Sequence, residues 1–194
     1  MPRPREFDTD AALDAALDTF WRLGYGATRV ADLTDAMGLS RPSLYNAFGD
    51  KRALFLAALD RYAEGYRALA AGMDAEPDGK EAVASALRGV ARAFAAPAGP
   101  AGCLRVGTTA ACGPDDPELV AALAVEQRAM EAAFEDRLTR AQTDGQLAPE
   151  ADVAVLAAFF VGAISAMAVR ARVAPDEDVL VGMAETAVSA WPDP

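Results

Sequence analysis

Thr28 to Phe55 read TRVADLTDAMGLSRPSLYNAFGDKRALF, and this stretch decides the fold. Val30, Leu33 and Met37 keep the three-and-four spacing of one helix face, and Gly38 supplies a left-handed stop. Ser40 opens a second short helix with Pro42 in its first turn, where a missing N–H costs nothing. Leu39, Leu44 and Phe48 are assigned to a small core. Two short helices joined by AMGLS have the spacing of a helix-turn-helix, whose second helix is the part that enters a major groove. Thr28, Ser40 and Asp50-Lys51 stand at three successive predicted helix N-termini. Such ends present free N–H groups and a positive dipole to anions, and a phosphate backbone is one.

Upstream, Asp8 caps a helix over about 8–23, stopped by Gly24 and Gly26. Downstream, Asp50 starts a long helix to about Met73, and Glu76-Pro77-Asp78-Gly79 reads as a turn. A helix over about 80–95 ends at the Ala96-Pro97-Ala98-Gly99-Pro100 punctuation. A short segment to Gly113 follows, then a long amphipathic helix through Leu119, Leu123, Met130, Phe134 and Leu138 towards Gly145. Two more helices, about 150–172 and 176–190, are separated by Pro175. No strand-like alternation bounded by hairpin turns is present, so the fold class is all-α with about nine helices. The pattern divides into a head over 1–53 and a body over 54–194, connected by the long helix at about 50–73.

The chain has 194 residues, 53% of them hydrophobic, and a net charge of −11. The acid is unevenly placed: residues 1–53 are nearly balanced at −1 and the remainder carries −10, so bulk acidity does not exclude a nucleic-acid contact at the head. There is no histidine and there are only two cysteines, nine positions apart, which removes imidazole chemistry and makes no zinc site. No cofactor or metal is expected. Arg3, Arg5 and five acids before Phe20 are unlike a secretion signal. The uncharged run Val153–Val169 is short for a bilayer and reads as a buried helix, so a cytoplasmic protein without a membrane partner is expected.

The stretch from Thr28 to Phe55 closely resembles the DNA-binding domain of the TetR family of bacterial transcriptional regulators, and the helix layout looks like that family over the full length. The resemblance implies a homodimer reading a palindromic, double-stranded DNA operator, usually as a repressor, with a body that dimerises and binds a small-molecule effector. Residue by residue, it places Thr28, Tyr45 and Lys51 at phosphate-contacting positions and Ser40, Arg41, Pro42 and Ser43 at the start of the recognition helix. Asn46 replaces the His often seen there. Arg41 and Ser43 are the residues expected at base edges, Arg favouring the O6/N7 pair of guanine. Arg3 and Arg5 form a basic arm that could trail along DNA.

A helix apolar on nearly every side needs more than one layer of neighbours. Gly162, Ala163 and Ala166, with Gly182, Ala184 and Ala187, are small enough for close approach, so the last two helices of each subunit are expected to form a four-helix interface. Gly102-Cys103-Leu104 resembles a subgroup of the family whose cysteine senses electrophiles or oxidants. A helix N-terminus and nearby Arg105 would favour the thiolate of Cys103. A Cys103–Cys112 disulfide is not expected if one helix holds both, since nine residues then span about 13 Å, and intersubunit or mixed disulfides stay open. Phe94, Met130, Phe134, Phe159 and Met167 are candidate walls of an effector pocket. Two other readings stay open: a thiol-dependent enzyme using Cys103, and a helical interaction module without DNA binding.

Overall fold

The computed structural model describes residues 7–96, 99–111 and 116–194, and all regular structure among them is helical. The elements are α1 (Thr9–Leu23), α2 (Val30–Met37), α3 (Arg41–Phe48), α4 (Lys51–Ala75), α5 (Gly79–Ala95), α6 (Leu104–Ala111), α7 (Pro117–Thr143), α8 (Val153–Val173) and α9 (Glu177–Val188). Arg3, Arg5 and Cys112 lie outside the described residues.

The helix starts explain part of the acidity. Asp8, Asp50, Asp78, Asp116, Asp152 and Asp176 each cap a helix by accepting a backbone N–H two or three residues on, and such caps contribute about 1 kcal/mol each. Gly38 ends α2 at φ 64°, as its place before Leu39 and Ser40 requires. One expected cap is corrected. The N-cap of α2 is Arg29, whose N–H bonds the Asp32 carboxylate. Thr28 is 2% exposed and its hydroxyl donates to Gly24 O at 2.7 Å, so it holds the turn between α1 and α2.

Two apolar clusters organise the chain. The head joins Ala16 and Phe20 of α1, Leu33 of α2, Leu44 of α3 and Leu54, Phe55, Ala58 and Leu59 of α4. Phe20 and Phe55 meet edge to face at 5.0 Å. Leu104, Leu119 and Leu123 also belong to this cluster, so α6 and α7 reach into the head. The body cluster packs α5 and α7–α9 around Phe134, Phe160, Ile164 and Leu180.

Helix α8 is long and apolar enough to cross a membrane by composition, at a mean hydropathy of 2.1. It is not buried on every side. Ala157, Phe160, Val161, Ile164, Met167, Ala168 and Ala171 face the body, while Val155, Phe159, Val169 and Val173 are exposed. Gly162, Ala166 and Gly182 lie on the open side as expected, but Ala184 and Ala187 point into the protomer's own core.

Candidate nucleic-acid interface and effector cavities

Helix α3 has one buried side chain, Leu44, whose docking between α2 and α4 leaves the opposite face free. That face carries Arg41, Pro42, Tyr45 and Asn46, all exposed, Tyr45 at 46%. Arg41 has no ion pair among the described residues. Ser40 is the N-cap, and its Oγ accepts from Ser43 N at 3.2 Å and lies 2.8 Å from Ser43 Oγ. Ser43 is half-buried with its hydroxyl engaged in that pair. Tyr45 and Asn46, one turn beyond Arg41 and Pro42, therefore extend the open face further than Ser43 does.

Two further polar helix starts, those of α4 and α2, flank α3 in the chain. Asp50 caps α4 through Ala53 N at 2.8 Å, which fixes Lys51 in the first turn. The Lys51 ammonium sits 4.6 Å over the Tyr25 ring, and partial burial lowers its pKa. Arg29 bonds Asp32 through its side chain and its backbone N–H, and these bonds hold the Asp32 carboxyl down at about 2. The region thus presents exposed hydrogen-bonding groups and cations on a rigid three-helix support, which can position phosphates and read base edges.

Two arginines tie the head to the body. Arg52 pairs with Asp116 at 3.2 Å and with Glu118 at 2.7 Å, at the start of α7. Arg172 of α8 donates to Trp21 O in α1 at 3.0 Å. The Gly-Cys-Leu segment runs beneath Arg172. A Cβ on Gly102, at φ 79°, would lie 2.6 Å from Ala168 O, and one on Gly107 would meet the Arg172 guanidinium at 2.8 Å. At Gly102, where the obstacle is backbone, only glycine lets the segment entering α6 approach α8 this closely.

Cys103 is 1% exposed. Its hydrogen-bonding neighbour is the Tyr66 hydroxyl at 2.9 Å, itself 3.1 Å from the Tyr62 hydroxyl. Burial, and next the adjacent Cys103 sulfur, push both phenols far above the ordinary tyrosine range. The Arg105 guanidinium, two residues from the thiol in sequence, turns to Gln127 and Met130 on α7.

The candidate pocket walls separate. Phe94 lines a cavity of about 290 Å³ with Trp21, Tyr62, Gly65, Tyr66, Leu69 and Gly89. Met130 and Phe134 line a smaller cavity of about 150 Å³ between α4 and α7, which Tyr66 also reaches. Met167 is fully buried in the body core, and Phe159 is 46% exposed on the outer side of α8, so neither lines these cavities. Trp21, Tyr62 and Tyr66 were not among the residues the sequence marked for a pocket. Their helical spacing is that of core positions, and no signal distinguishes a core aromatic from a cavity wall.

Residues 12–58 match the family described as bacterial regulatory proteins, tetR family, and residues 79–187 match the tetracyclin repressor-like C-terminal domain. The chain is 34% identical to the HTH-type transcriptional repressor ComR of Escherichia coli (strain K12), over 98% of this chain and 92% of that one. It is 31% identical to the HTH-type transcriptional regulator YezE of Bacillus subtilis (strain 168), over 97% and 98%. Among solved structures, a cysteine mutant of the TetR family transcriptional regulator CifR, complexed with 26-bp double-strand operator DNA, superposes with a TM-score of 0.93. It shares 35% identity and covers 98% of this chain and 100% of that one.

Proposed function

The chain belongs to the TetR family of bacterial regulatory proteins and is a DNA-binding transcriptional repressor of that type, and from this premise we propose that it acts in the cytoplasm as a homodimer, without enzymatic activity, released from a palindromic operator by a small molecule or by modification of Cys103. The observation that carries the DNA-binding role is the open face of α3, with Arg41 and Tyr45 exposed above a buried Leu44. Arg41 reads base edges, while Ser40, Tyr45 and Lys51 hold phosphates. Replacing Arg41 by alanine then relaxes base preference and costs about 1–3 kcal/mol on the best sequence, whereas Lys51→Ala weakens every sequence alike. Competition binding with single-base operator variants separates the two. Equal loss on all sequences from Arg41→Ala contradicts its role.

The dimer is built on the open stripe of α8, with Val155, Phe159, Gly162, Ala166, Val169 and Val173 at alternating three- and four-residue steps, continued by Val179 and Gly182 on α9. Apolar side chains so arranged gain from burial against a two-fold copy.

The cavity of Trp21 and Phe94 is the effector site favoured here. Gly65 and Gly89 sit inside α4 and α5 where a Cβ would meet nothing within 4 Å, although an internal glycine costs a helix roughly 0.5–1 kcal/mol relative to alanine. That space is kept open at an energetic cost. Gly89→Ala is expected to raise thermal stability by about that amount while narrowing the cavity, and a fall in melting temperature contradicts the geometry.

Cys103 joins this cavity to α6 through Tyr66. Peroxide oxidation of its thiol to sulfenic acid, with release of water, adds an oxygen where the sulfur is already enclosed, and so displaces α6 or Tyr66. Cys103→Ser is therefore expected to bind DNA as the native chain does and to lose peroxide-induced release. Unchanged release would confine Cys103 to packing.

A further inference from the structure

Between α6 and α7 lies a cleft of about 400 Å³ lined by Arg105, Thr109, Val120, Leu123, Ala124 and Gln127. Arg105 is 4% exposed, yet no carboxylate pairs with it among the described residues. Its guanidinium donates to Gln127 Oε1 and approaches Met130 Sδ at 4.0 Å. Among the described residues, Arg105 Nε has no partner, and neither does the buried hydroxyl of Thr108 one turn on. Glu131 accepts from the Gln127 amide at 2.5 Å, so this acid reaches the arginine only through a neutral group. A guanidinium stays ionised in a protein, and a buried charge without a counter-charge is strongly unfavourable. Apart from Thr109, the remainder of the cleft wall is aliphatic.

We propose that this cleft binds an organic carboxylate, its head group on Arg105 and its apolar body against Val120, Leu123 and Ala124. The planar fork of arginine suits two parallel bonds to one carboxylate, and Nε supplies a donor that no group among the described residues uses. The placement couples to the head. Leu104, next to Arg105, is part of the head core, and Arg52 holds the first turn of α7 through Asp116 and Glu118. A ligand that draws α6 and α7 together bears on both supports. This deepens the reading of the chain as an effector-responsive repressor. It concerns a cleft separate from the cavity of Trp21.

Titration calorimetry on the full chain without DNA tests it, so its outcome is independent of whether the operator reading holds. The probes are benzoate and hexanoate, each against its alcohol, benzyl alcohol and 1-hexanol. At least one acid is expected to bind tenfold or more tighter than its alcohol. Arg105→Gln should weaken that acid at least tenfold, and Arg105→Lys should restore part of the loss. Ala124→Phe, which fills the cleft and leaves the arginine in place, should weaken it equally and keeps the test decisive if Arg105→Gln does not fold. Acids and alcohols binding alike, no acid binding up to millimolar concentration, or full affinity in Ala124→Phe would overturn the proposal.

Discussion

Val169→Asp is expected to convert the protein to a folded monomer and to weaken operator binding about 10²–10⁴-fold. Val169 is 57% exposed in the protomer and sits mid-stripe on α8, so the two-fold axis would bring its carboxylate and the partner's into one apolar seam. Two unpaired, desolvated charges then oppose association. The loss on DNA follows because each head alone contacts one half-site, and the second contact is gained only when the dimer holds it at high effective concentration. Sedimentation equilibrium reports the assembly and fluorescence anisotropy the affinity. A variant that remains dimeric places the interface elsewhere. A monomer that keeps native affinity removes the need for two heads.

Arg137→Ala is expected to cost about 3–5 kcal/mol of stability, a fall of roughly 6–20 °C in melting temperature for a chain of this size. Arg137 is fully buried on α7. It donates to Met73 O at 3.1 Å, Glu76 O at 2.9 Å and Pro77 O at 3.2 Å, closing the last turn of α4, where the final carbonyls have no partner within the helix. The cation also faces the negative end of the helix dipole. Burial lowers its pKa but leaves it charged. Alanine abandons the Glu76 carbonyl, leaves the Pro77 carbonyl with Gln146 Nε2 alone at 3.2 Å, and opens a void. Arg140 keeps one contact to Met73 O at 3.3 Å. Arg137→Met refills volume but not the hydrogen bonds, so it should recover only part of the loss. Thermal unfolding followed by circular dichroism measures both, and a change under 2 °C in Arg137→Ala contradicts the assigned role.

The helices were legible because their signals are local. Leu33, Leu44 and Phe55 keep helical spacing, and the capping aspartates and Gly38 sit where helix ends need them. Most of what escaped depends on groups far apart in the chain, with Thr28 a local exception. Thr28 looks like a cap by type, but the Gly24 carbonyl four residues earlier takes its hydroxyl. Arg105 is two residues from Cys103, yet helical geometry turns it to α7 while Tyr66, 37 residues away, meets the sulfur. Phe94 and Phe159 are the same residue type at helical positions, but one lines a cavity and the other an outer face. Arg137 carries no sequence signal at all, since a long amphipathic helix normally has solvated arginines.

Fluorescence anisotropy of the full chain on labelled duplexes tiling the DNA upstream of its own coding region tests the central claim most directly. One tile holding an inverted repeat, with half-sites a whole number of helical turns apart, should bind about 10³-fold or more tighter than the same tile scrambled, with affinity falling steeply as salt rises. A folded dimer that binds no tile better than scrambled DNA at low salt would contradict it.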